Sequence, residues 1–115
     1  MRLRYTIGSA LGALALIVAI PTSAHAEATG IFYYKYGDPA NPQESNLTSP
    51  ATQTCIVIPE VDGKDIDAFD VDNKTDKRAW LFSDDDCFGN KTEVAAQGGT
   101  DKTTKFKSVY FPADG

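Results

Sequence analysis

The chain has 115 residues, with 11 basic and 16 acidic side chains, one histidine and two cysteines. Such a length holds one small domain with a thin core, and the acidic balance disfavours nucleic acid and anionic lipid as partners. The lone histidine, His25, falls in a segment that reads as a removable leader, which excludes histidine-dependent catalysis and histidine-ligated zinc from the mature protein.

Residues 1–26 have the form of a secretory signal peptide. Arg2 and Arg4 lead, an apolar run follows over residues 7–20, and Ala24-His25-Ala26 supplies the small-x-small cleavage pattern. Cleavage there leaves a single domain over 27–115, with 9 basic side chains against 16 acidic ones, a formal charge of −7. No later apolar stretch approaches the roughly 20 residues of a membrane-spanning helix, so the expected location is extracellular, with no membrane contact after cleavage. An oxidising destination makes a Cys55–Cys87 disulfide the natural assignment, two free thiols being the alternative.

Residues 31–36 (IFYYKY) alternate as a strand, with Phe32, Tyr34 and Tyr36 on one face and Ile31, Tyr33 and Lys35 on the other. Aromatics on both faces of a terminal strand exceed what one thin core buries. Phe32, Tyr33, Tyr34 and Tyr36 are therefore the candidate partner-binding residues; covering an open side of the sandwich is the competing role. Residues 37–53 read as a loop, because Pro39, Pro42 and Pro50 interrupt sheet pairing. Residues 54–58 (TCIVI) are apolar on both faces and predict a central strand. An acidic connection follows over 59–77, carrying Asp62, Asp65, Asp67, Asp70, Asp72 and Asp76. Strands are predicted over 78–82 (RAWLF), 91–96 and 105–111 (KFKSVYF), with Gly98-Gly99 separating the last two. No long stretch has helical spacing, so the class is all-β. Trp80, beside Phe82, reads as core rather than as a binding platform, and the Asn-x-Thr sequons at Asn46, Asn73 and Asn90 read as surface loops.

Residues 83–90 (SDDDCFGN) place three carboxylates beside a cysteine and a glycine. An EF-hand loop starting at Asp84 finds Asp86 and Gly89 in place but Phe88 and Ala95 where oxygen ligands belong; one starting at Asp70 meets Lys74 and Thr75. Paired acid/base catalysis needs two carboxyls in different environments, which adjacent turn aspartates do not offer. A tight turn between strands is the remaining reading.

From Ala79 onward the spacing resembles one Greek-key motif of the βγ-crystallin family, including its cysteine-containing members among small secreted bacterial peptidase inhibitors. The family's aromatic, four residues, second aromatic, one residue and glycine correspond to Phe82, SDDD, Cys87, Phe88 and Gly89, with Cys87 in the second aromatic position. Residues 106–111 resemble the closing segment, whose serine, here Ser108, folds back onto the first hairpin. The resemblance implies a small βγ-crystallin-like Greek-key sandwich. It also brings in calcium, but Thr103, Thr104, Lys107 and Ser108 stand at the matching ligand positions, without carboxylates and with a cation among them. The whole chain is similar, in Gly30-Ile31-Phe32-Tyr33-Tyr34, Cys55-Ile56-Val57-Ile58 and Phe106-Lys107-Ser108-Val109-Tyr110-Phe111, to short exported proteins that include the small adaptor subunit of bacterial umbrella toxin particles. That subunit joins a lectin subunit to a stalk-and-ring subunit.

The function expected is a secreted, non-catalytic adaptor or assembly subunit of an extracellular toxin complex, with other secreted proteins as partners and no cofactor. An inhibitor of a secreted peptidase and a calcium-binding βγ-crystallin-type protein are the alternatives. An enzyme is not expected, because no Asp, Glu, Lys, Ser or Tyr set forms a motif that specifies chemistry.

Overall fold

The computed structural model describes residues 26–113, so the predicted leader lies, but for Ala26, outside the described residues. Among the described residues there are seven strands: β1 (Gly30–Tyr36), β2 (Gln43–Thr48), β3 (Cys55–Val57), β4 (Ala68–Thr75), β5 (Ala79–Phe82), β6 (Lys91–Val94) and β7 (Ser108–Tyr110). One 3-10 turn (Pro59–Val61) is the helical element among the described residues. The strands make two antiparallel sheets, one in the order β2-β1-β4 and the other β3-β7-β5-β6. In the first sheet the fourth strand returns to lie beside the first, while the third has crossed into the opposite sheet. The class is all-β, as the sequence predicts.

Alternation in β1 sets the core. Phe32 and Tyr34 point inward and are buried, and Phe32 meets Phe111 and Phe106 edge-on at centroid distances of 5.3 and 6.3 Å. Leu81, Val94 and Val109 of the second sheet close the cluster, with Ile58 and Val61 from the segment after β3. T-shaped ring pairs add about 0.5–1.5 kcal/mol each beyond the area they bury.

Three predicted features need correction. Gln43–Thr48, inside the expected loop, is an edge strand: its flanking prolines bound it rather than forbid it, and its polar residues suit a solvent-exposed edge. The acidic connection contains the longest strand, β4. Its inward positions after the bend are Val71, Asn73 and Thr75, so two of three core-facing side chains are polar and the period-2 signal is hidden. Asn73 and Thr75 are tolerated there because they satisfy one another: Thr75 Oγ1 donates to Asn73 Oδ1 at 2.7 Å, and Asn73 Nδ2 donates to the carbonyls of Lys77 and Ala95. Asn73 is therefore no surface sequon, whereas Asn46 and Asn90 are exposed. Third, the apolar strand near Cys55 lies at the edge of its sheet, and β7 and β5 occupy the interior positions. β1 is internal, paired on both sides, and the chain before it is held by Ala28 N–H donating to Pro50 O at 2.8 Å.

The 83–90 stretch is a folded β5–β6 connection. Ser83 N–H donates to Asn90 O and Asp84 N–H to Phe88 O, both at 3.1 Å. Gly89 has φ +88°, and a Cβ there would collide with Ser83 Oγ, so glycine is required for steric as well as torsional reasons. Ser108 of β7 reaches under this connection: its hydroxyl donates to Asp84 O at 2.6 Å and accepts from Cys87 N–H at 2.9 Å. The Cys55–Cys87 disulfide then ties the connection to the edge strand β3.

Two outcomes are expected in urea and thermal unfolding. Ser108→Ala strands a carbonyl and an amide beneath the connection and should cost about 2 kcal/mol, a melting-point fall of roughly 10 °C. Replacing both cysteines by serine should cost about 3–4 kcal/mol, the chain-entropy value for a loop of this size. An unchanged midpoint for Ser108→Ala would mean the connection does not depend on that hydroxyl.

Candidate functional site

The residues that β1 turns outward define the candidate site. Tyr33 is 41 % exposed, and the pairing register places Asn46 of β2 on one side of it and Asp72 of β4 on the other. Lys35 lies across from Glu44, two positions along the same face. Between them is a hollow of about 370 Å³ lined by Tyr33, Tyr34, Lys35, Glu44, Ser45, Asp70 and Asp72. Its shape owes much to a bulge in β4. The register shifts between Tyr33 and Lys35, and Asp70 adopts φ +55°, which aims its carboxylate at Lys35 Nζ, 3.2 Å away. Asp72 pairs more loosely with Lys74, at 3.6 Å. Three carboxylates and one ammonium thus line a hollow beside an exposed phenol ring.

Of the four aromatics singled out from the sequence, Phe32 and Tyr34 are core residues. They are 0 % and 2 % exposed, so their rings cannot meet a partner without unfolding the sheet. Tyr36 is half-buried against the core, with its hydroxyl donating to Gln43 Oε1 at 2.9 Å. Tyr33 alone of the four presents its ring to solvent. The sequence signal was the alternation itself, which already separates Tyr33 from Phe32, Tyr34 and Tyr36.

Beneath the hollow, Tyr34 and Ser45 both donate hydrogen bonds of 2.5 Å to the carboxylate of Glu60. This joins β1, β2 and the 3-10 turn. Burial pushes the Glu60 carboxyl up, but the bonds from Ser45 and Tyr34 outweigh it and hold the group below its ordinary value. Burial, and then the Glu60 carboxylate, push the Tyr34 phenol well above its ordinary range, so it stays protonated as a donor.

The opposite outer face differs. Trp80 is half-buried there and not in the core: it stacks on Tyr110 at 5.5 Å, Lys91 Nζ lies 4.1 Å from its ring centroid, and its Nε1 donates to Glu93 Oε1. The indole ring is thus already engaged by two side chains of the protein, and its N–H by a third. Phe88, at the tip of the disulfide-braced connection, is 71 % exposed. The composition of that turn drew attention to its aspartates, and nothing in its spacing marked the phenylalanine as the displayed residue.

At three of the four positions where the resemblance would put cation ligands, Thr103, Lys107 and Ser108, the side chains already have partners. Thr103 Oγ1 donates to Asp101, and Ser108 is committed beneath the β5–β6 connection. Lys107 Nζ donates to the carbonyls of Ile66 and Lys64 and lies 3.4 Å from Asp67. An ammonium therefore gathers the oxygens of that corner. Among the described residues, no three carboxylate, thiol or imidazole groups are placed to hold a metal ion.

The Glu60 arrangement predicts a pH dependence. Its folded-state value is depressed, so the stability it contributes is present above the unfolded value near 4.5 and is lost as pH falls through the folded value. Urea midpoints measured between pH 3 and pH 7 should therefore fall less steeply on acidification in Glu60→Gln and in Ser45→Ala than in the wild type. Identical slopes in all three would show that this carboxylate does not take part in acid destabilisation.

No protein-family model, no curated protein and no solved structure matches this chain.

Proposed function

We propose that the protein is a secreted, non-catalytic binding module that works as an adaptor or assembly subunit of an extracellular complex. The observation that carries this reading is the solvent-exposed Tyr33 ring, set on the outer face of the first sheet beside a hollow lined mostly by charged and polar side chains. Exposed tyrosines beside pockets are the side chains that most often anchor protein partners, because they offer large rigid area at small entropic cost. An adaptor must meet two partners at once, and the sandwich offers a second, separate feature in Phe88 on the β5–β6 connection of the other sheet. The Ser108 tie and the Gly89 turn support a βγ-crystallin-like Greek-key assignment. The toxin-particle resemblance supplies the partner class, a lectin subunit and a stalk subunit. The leader read over residues 1–26 supplies the route out of the cell.

One observation favours a second reading, inhibition of a secreted peptidase. Phe88 is displayed on a connection braced by a disulfide and by Ser108, and a rigid exposed apolar residue is what a protease pocket takes.

The test is to tag the mature chain in its native producer, recover it gently from culture fluid and identify what accompanies it by mass spectrometry. Large exported subunits in fixed ratio, retained about tenfold less well by Tyr33→Ala, are the expected result. Recovery alone would overturn the adaptor reading. A single peptidase in its place, lost with Phe88→Ala, would establish the inhibitor.

A further inference from the structure

The adaptor reading leaves open what kind of segment docks, and the sheet edges narrow it. Sheet one ends on one side at β4, but the chain over residues 98–106 already lies along that edge: Asn73 N–H donates to Gly98 O at 2.8 Å, Thr100 N–H to Val71 O at 3.0 Å, and Ala68 and Phe106 exchange both backbone bonds at 2.9 Å. Sheet two ends at β3, three residues tied down by the disulfide, and at β6, four residues that begin with a lysine. Among the described residues the remaining edge is the outer side of β2, six residues long and paired there to β1 alone. Within Gln43–Thr48 there is no lysine, proline or bulge of the kind that blunts an edge in soluble proteins.

The phase of that edge follows from one bond. Ser49 N–H donates to Gly30 O at 2.8 Å, so residues 47, 45 and 43 continue as the hydrogen-bonded partners of β1. The backbone groups of Glu44, Asn46 and Thr48 therefore point away from the sheet. The side chains of those same three residues share the outer face with Tyr33 and Lys35. A strand added here would set its own outward side chains directly beside Glu44 and Asn46, in line with Tyr33 and Asp72. Lys35 turns to Asp70, which leaves Glu44 facing the edge. Asp70 is paired with Lys35 and Asp72 loosely with Lys74, so Glu44 is the carboxylate left toward the edge and the complementary neighbour is cationic.

We propose that the outer edge of β2 is a docking strand for an extended, basic segment of a partner protein, with a lysine or arginine beside Glu44 reaching toward the Tyr33 ring. Backbone bonds to Glu44, Asn46 and Thr48 hold the segment, and the cation sets its register. This rests on the adaptor reading and names the chemistry of its partner.

The probe is a blocked seven-residue peptide alternating arginine with valine, titrated into the folded protein, with amide hydrogen exchange and amide shifts read by NMR. The expected result is at least tenfold slower exchange at the amides of Glu44, Asn46 and Thr48, with little change at residues 43, 45 and 47. The same peptide with glutamate for arginine should give no protection. Glu44→Lys should weaken binding at least tenfold. Asn46→Pro, which deletes an outward N–H and leaves the β1 ladder intact, should do the same while an unchanged melting point shows that it is folded. Protection elsewhere, or equal binding by the glutamate peptide, would overturn the proposal. The two readings separate in culture fluid. Partners still recovered at wild-type yield by Glu44→Lys and Asn46→Pro overturn the edge and keep the adaptor, whereas a protected β2 edge with nothing recovered keeps the edge and overturns the adaptor.

Discussion

The contact between Phe32 and the rings of Phe111 and Phe106 is the interaction on which the rest of the molecule depends. It joins the centre of one sheet to the end of β7 in the other, at 5.3 and 6.3 Å, and so fixes which face of β1 is inward. Once that face is fixed, the two-residue period of a strand leaves Tyr33 no choice but solvent. The surface feature is thus a consequence of the core, and a one-residue slip of β1 would bury Tyr33 and expose two core rings. Tyr34 guards against that slip. Its hydroxyl reaches Glu60, which also takes a bond from Ser45 of β2, so the register of two strands is tied to a third element by one carboxylate.

A domain this small cannot rely on apolar burial alone, and it recruits polar groups for structural work. Ser108, Asn73 and Thr75 are all fully buried, and each has a hydrogen-bonding partner. Ser108 fastens the β5–β6 connection from below while the disulfide fastens it from the side. The ammonium of Lys107 gathers two carbonyls and lies near a carboxylate at the corner where residues 64–67 pass. These ties cost desolvation, but each replaces several water contacts with fixed ones, and their geometry is specific in a way that apolar contacts are not.

That reliance on polar ties explains what could be read from the sequence. The alternation over 31–36, the class and the turn at 83–90 were legible because they follow from period, composition and glycine. β4 was not, since Asn73 and Thr75 occupy core positions and Asp70 adds a bulge that shifts the phase midway. β2 was hidden for the opposite reason. An edge strand facing water on one side needs few apolar residues, and QESNLT between two prolines reads as a loop unless its pairing to β1 is known. The candidate site suffered from the same gap. Tyr33 was visible from its own strand, but Glu44, Asp70 and Asp72 come from the two strands the pattern concealed, so the hollow could not be assembled without them.

The two outer faces use their aromatics differently. Trp80 is large and on a surface strand, which makes it the obvious platform, yet Tyr110 stacks on the indole, the Lys91 ammonium lies against its ring, and Glu93 takes its N–H. A ligand would have to displace all three before gaining any contact area. Among the described residues no ring stacks on Tyr33, and the charges beside it are partly paired among themselves. Exposed area alone does not make a ring available. A ring is available when the protein has not already spent its faces, and by that measure the smaller aromatic on the first sheet outranks the tryptophan on the second.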